Sequence, residues 1–92
     1  MPTYDLHFET ITGRKPARTE HPLETQMVRV KMILKRYTGK YGTSITFICG
    51  QGEGILRDSI ISYVKQRYPA YIISDASFHQ YGGAAIKIYI KK

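Results

Sequence analysis

Cysteine is all but missing from this chain, with Cys49 its sole representative. A lone thiol excludes an internal disulfide framework and fits a reducing compartment, the cytoplasm. One Cys and three scattered His also lack close ligand spacing, so neither a zinc site nor any other metal or cofactor is expected. No apolar run approaches the ~18–20 residues of a membrane span, and the first residues carry no apolar core of a secretory signal. Acidic residues are scarce: seven Asp and Glu face fourteen Lys and Arg, a net charge of +7. That imbalance does not specify a fold. It does select polyanions as partners, nucleic acid or an anionic membrane surface. With no span in view, DNA or RNA is the partner expected, and not a membrane. Internal repeats and low-complexity tracts are absent as well.

What is present suits one small domain covering residues 1–92. Ninety-two residues leave no room for a second core, and 42% apolar content is ordinary for a folded chain. Thr3 to Glu9 alternates, with Tyr4, Leu6 and Phe8 apolar between polar neighbours, which predicts a strand with one buried face. Thr12 to His21 is polar and rich in turn formers, and reads as a long loop. Pro22 suits the first position of a helix, and Leu23, Met27, Val30, Leu34 and Tyr37 then share one helical face. Ser44 to Cys49 predicts a second strand, Leu56, Ile60 and Val64 a second helix ended by Pro69, and Tyr71 to Phe78 a third strand. Gly82-Gly83 predicts a turn into a last strand, Ala84 to Lys91, with Ile86, Ile88 and Ile90 on one face.

The order is β-α-β-α-β-β. Strands joined through a helix run parallel as a rule, while the last two should pair antiparallel. Clean alternation implies that helices cover one sheet face only. The expected fold is therefore an α/β two-layer sandwich: a mixed four-stranded sheet with two helices on one face.

In open α/β sheets ligands sit beyond the carboxyl ends of the parallel strands. Two features fall there: Asp5-Leu6-His7, and the loop Gly50-Gln51-Gly52-Glu53-Gly54 leading into the second helix. Glycines let backbone N–H groups approach an anion, and a helix N-terminus adds partial positive charge. Arg57 stands in that first turn, where a bound phosphate would offset its cost to the helix. The spacing fits neither a Walker loop nor a dinucleotide fingerprint, and on spacing alone it serves equally as a simple strand-to-helix turn. His7 is a general acid/base or phosphate contact in one reading and a surface or packing residue in the commoner one; Asp5 is placed to orient it. Arg14, Lys15 and Arg18 lie in the long loop beside His7 and are the preferred basic contacts. Arg29, Lys31, Lys35, Arg36 and Lys40 serve equally as a solvated helix face. Cys49 alternates with core positions and reads as packing; His79 and Tyr81 are weak candidates for base stacking.

Taken together, Asp5-Leu6-His7 after Tyr4, the glycine loop with Leu56-Arg57, and Gly82-Gly83 before the last strand resemble the Smr (small MutS-related) domain. The resemblance runs in order from residue 4 to about residue 90. It implies the sandwich just described, which is similar to the C-terminal domain of bacterial translation initiation factor three. It further implies a DNA or RNA endonuclease whose catalytic residues are Asp5 and His7. Gly50, Gln51, Gly52, Gly54 and Arg57 would then be expected to hold nucleic acid, with Arg14, Lys15 and Arg18 of the basic loop as further expected contacts. Smr domains often end longer proteins, so other domains are expected to precede this one. Two features depart from the family pattern: Cys49 stands where His or Thr usually precedes the first glycine, and the Thr12-to-His21 segment is long. The alternative reading is a module that docks on nucleic acid or a ribosome without cleaving.

Overall fold

The computed structural model describes residues 2–49, 54–76 and 85–92, and everything below concerns those residues. Seven elements follow in order: β1 (Thr3–Asp5), α1 (Phe8–Thr12), α2 (Pro22–Arg36), β2 (Ser44–Ile48), α3 (Ile55–Arg67), β3 (Ile72–Asp75) and β4 (Ala85–Tyr89). One four-stranded sheet forms in the order β1-β2-β4-β3. Thr3–Asp5 pairs parallel with Thr46–Ile48, and β4 runs antiparallel to both β2 and β3. Each strand-to-strand step through α2 or α3 thus returns the chain to the same sheet edge, as the linking helices require.

The helical and strand periods explain the core. Val30, Ile33 and Leu34 of α2, together with Leu56, Ile60 and Val64 of α3, are buried at spacings of three and four. They meet Ile45 and Phe47 of β2 and the alternate residues Ile86, Ile88 and Ile90. Across the sheet, Ile45 faces Ile88 and Phe47 faces Ile86, so one sheet face is continuous apolar surface under the helices. The opposite face carries the other alternation, with Thr3, Thr46, Lys87 and Ser74 in one row. The expectation of a mixed four-stranded sheet in a small α/β domain therefore holds, with the short α1 as a third helix beside the two expected. Among the described residues, no helix is long and apolar enough to cross a membrane.

The first strand is shorter than its alternation suggests, and this is the main correction. Strand pairing stops at Asp5, although the Leu6 amide still donates to the Ile48 carbonyl at 2.9 Å. The Asp5 carboxylate then accepts the His7 amide at 2.9 Å and the Thr10 hydroxyl at 3.1 Å, which satisfies groups at the start of α1. Leu6 and Phe8 are buried either way, so the period of two was compatible with both conformations. α1 ends at Gly13, whose φ of 77° lets its amide reach the Glu9 carbonyl at a left-handed turn. His7 thus belongs to a strand-to-helix turn and not to the strand.

Smaller differences concern boundaries. β2 ends at Ile48, one residue short of Cys49. β3 starts at Ile72; Tyr71 precedes it, and the expected end at Phe78 lies outside the described residues, as do His79, Tyr81, Gly82-Gly83 and Ala84. Ile90 lies beyond the last strand but stays bonded, donating to the Thr43 carbonyl and accepting the Gly42 amide, each at 2.8 Å.

Candidate functional site

β1 and β2 are parallel neighbours, so their carboxyl ends share one sheet edge. Asp5 is paired with Ile48 there, and the chain passes from Ile48 through Cys49 toward the glycine segment. Gly50, Gln51 and Gly52 of that segment lie outside the described residues. The edge holds three clusters, each built on a basic side chain and a carboxylate.

The first is the Asp5–His7 pair. His7 Nδ1 lies 2.5 Å from Asp5 Oδ1, and the side chains are 53% and 39% exposed. Partial burial pushes the Asp5 carboxyl up, but the His7 amide and imidazole, the charge of His7 and the Thr10 hydroxyl together hold it below its ordinary value. An ionised carboxylate only accepts hydrogen bonds, so Nδ1 carries the proton and Nε2 is left as the ring atom for proton transfer. A groove of about 350 Å³ lined by His7, Phe8, Glu9, Thr10 and Pro16 opens beside the ring.

The second cluster occupies the long loop. Arg14 makes two hydrogen bonds to Glu20, through Nη1 at 2.5 Å and Nη2 at 2.8 Å, while the Ala17 amide donates to Glu20 Oε1 at 2.8 Å. Glu20 is pulled down to about 2, first by the Arg14 hydrogen bonds and then by the Ala17 amide. The Arg14 guanidinium also lies 5.4 Å from the centre of the Phe8 ring. The loop is therefore clamped on itself, and Arg14 is engaged. Lys15 and Arg18 are exposed and form no ion pair among the described residues.

The third cluster surrounds the start of α3. Gly54 caps the helix at φ 81°, a left-handed conformation that accounts for glycine at that position. Arg57 Nη2 donates to Asp75 Oδ1 at 2.6 Å, tying the first turn of α3 to the end of β3. The guanidinium that the sequence offered to a phosphate thus already has a carboxylate. Cys49 is half-buried, and burial pushes its thiol up to about 11, against a smaller opposing effect of the Arg57 charge. It stays a neutral thiol, consistent with its reading as packing. Among the described residues, no three His, Cys, Asp or Glu side chains gather as a cage for an ion.

Comparison of the chain with protein-family models, curated proteins and solved structures finds no match. The site must accordingly be judged on its own chemistry. Of the predicted residues, Asp5 and His7 are brought into contact. Arg57 stands on the same sheet edge with Asp75 as its partner, and Arg14, Lys15 and Arg18 form a clamped loop. Sequence reasoning missed Glu20 and Asp75, the acids that neutralise two of the chosen arginines. The six-residue spacing of Arg14 and Glu20 within a polar loop was a usable signal; Arg57 and Asp75 have none.

Proposed function

We propose that this chain is a nucleic-acid-binding domain of Smr type that cleaves phosphodiester bonds at the edge where β1 and β2 end. The observation that carries the reading is the Asp5–His7 pair: an exposed imidazole, held at Nδ1 by an ionised carboxylate 2.5 Å away, beside an open groove. Such a ring is oriented for general acid/base work. On RNA, Nε2 takes the proton of a 2′-hydroxyl as its oxygen attacks the adjacent phosphorus. The bond to the 5′ oxygen breaks, and that oxygen receives the proton back. The products are a cyclic phosphate and a 5′-hydroxyl. On DNA a water must attack without this help, so RNA is the chemically easier substrate. The net charge of +7 supports a polyanionic substrate.

The test is to incubate the purified domain with structured RNA and with supercoiled plasmid, with and without a chelator, beside His7→Ala. Cleavage by the parent that persists in chelator and falls ~10²–10⁴-fold in the variant is expected, with binding little changed. Equal cutting by both proteins refutes the acid/base role.

A second reading, docking on nucleic acid or a ribosome without cleavage, is favoured by the two neutralised arginines. Arg57 bonded to Asp75 and Arg14 bonded to Glu20 have their charge already matched and offer less to a developing phosphate charge, which leaves that role to Lys15 and Arg18. Binding without cleavage of either substrate selects it.

A further inference from the structure

The opposite sheet edge, where β1 and β2 begin, carries the stronger anion site. β4 runs antiparallel to β2, so Tyr89 faces Ser44 and the chain beyond β4 emerges at this edge. β3 also begins there, because Ile72 pairs with Tyr89. α2 and α3 must both end there, since each carries the chain back from the other edge. Four routes through the fold converge on one groove of about 810 Å³.

Its cations are Lys31, Lys35, Arg67, Lys91 and Lys92, all exposed, and among the described residues no acidic side chain lines it. Among the described residues none of the five enters an ion pair. Between them stand Tyr41, Tyr63, Tyr68 and Tyr71. Tyr68 and Tyr71 stack at 4.7 Å with planes 9° apart, and Tyr63 meets Tyr68 edge-on at 6.2 Å. Lys31 Nζ sits 5.2 Å from the Tyr63 ring centre and Arg67 Cζ 5.4 Å from that of Tyr68. Two of the five cations, Lys31 and Arg67, thus lie over rings of the aromatic wall, and none of the five is matched by a carboxylate among the described residues. Tyr41, 55% exposed, offers a free ring at the rim.

We propose that this groove binds a single-stranded segment of DNA or RNA, with its cations on the phosphates and Tyr41 stacked on a base. Unmatched charge attracts any polyanion, but alternating cations and rings with an exposed tyrosine suit a strand whose bases are unpaired. A duplex hides its base faces, and an anionic bilayer has none to stack. The groove shares with the preceding reading only the class of partner. It needs no catalysis and uses none of the residues at the other edge.

The test measures fluorescence anisotropy of a short labelled oligo-uridine and oligo-thymidine on the whole 92-residue chain, over a salt series, beside a blunt duplex and phosphatidylserine vesicles. Reversing Lys35, Arg67 and Lys91 together to Glu should lower single-strand affinity at least ~10-fold. It should also reduce the salt slope by about 2, at ~0.7 per lost phosphate contact. Tyr41→Ala, a milder change at an exposed position, should weaken single-strand binding ~5–100-fold and leave duplex binding unchanged. Thermal melts confirm that each variant is folded. An unchanged slope in the triple variant overturns the proposal, as does equal loss of duplex and single strand in Tyr41→Ala. Binding to vesicles but not to oligonucleotides overturns it in favour of a membrane surface. His7→Ala should lower cleavage ~10²–10⁴-fold and leave this binding unchanged, so the two readings fail separately.

Discussion

The two edges of the sheet handle charge in opposite ways. Where β1 and β2 end, His7, Arg14 and Arg57 each lie against a carboxylate, those of Asp5, Glu20 and Asp75. Where they begin, five cations line a groove with no acidic side chain among the described residues. The distribution follows the direction of the helices. Both α2 and α3 start with an acid in the first turn, Glu24 and Asp58, and end with bases, Lys35 and Arg36 or Lys65 and Arg67. That placement complements each helix dipole. Because both helices run the same way against the sheet, the local preference adds up to a polar molecule. On the two proposals above, the first edge would hold a reactive group in register and the second a polyanion.

The largest expected effect separates the edges by chemistry. His7→Ala should cut phosphodiester cleavage ~10²–10⁴-fold in a gel assay while leaving oligonucleotide anisotropy within error. Loss of both together would collapse the division into one site.

Next comes their common foundation. Phe47 is fully buried in β2, facing Ile86 and touching Tyr4. Phe47→Ala should cost ~3–5 kcal/mol in urea unfolding, and both edges should lose function in step. Survival of either edge in that variant would mean that it does not depend on the shared core.

Asp75→Ala sharpens the contrast. Removing an exposed ion pair should change stability by less than ~1 kcal/mol. It frees Arg57, so the salt slope of nucleic-acid binding should steepen by about 0.7–0.9, one further phosphate contact. An unaltered slope would show that the end of the β1–β2 pair does not meet phosphate at all.

The smallest effect is in acid. Pairing with Arg14 pulls Glu20 down to about 2 in the folded chain against an ordinary 4.5, so the stability this pairing contributes is fully present above pH 4.5. It is lost as pH falls through about 2. Asp5, also lowered, follows the same sign. Carboxyl chemical shifts should show Glu20 protonating well below the ordinary glutamate value of 4.5, whereas the opposite groove, lined by no acidic side chain among the described residues, should keep its tyrosine spectrum over that range.

Much of this was legible along the chain. The spacing of Val30 and Leu34, and of Ile86, Ile88 and Ile90, announced a helix and a strand because burial selects one face at each period. Asp5 and His7 were picked as partners and do meet. Their backbone was misjudged, since alternation through Leu6 and Phe8 does not reveal that Asp5 caps a turn. The basic groove was half visible. Lys31 and Lys35 stood out in an acid-free run, but Arg67, Lys91 and the tyrosines looked like unrelated residues of a tyrosine-rich chain.

The amino-acid sequence by itself determined the element types, the apolar faces and the excess of positive charge, because these depend on period and composition. Only the tertiary structure decided which charges are neutralised. Arg57 meets Asp75 across eighteen positions of chain, and Lys31, Arg67 and Lys91 meet only because α2, α3 and β4 all finish at one edge. Coulomb energy falls with distance in space, and distance in space is set by how strands and helices return, which no local pattern records.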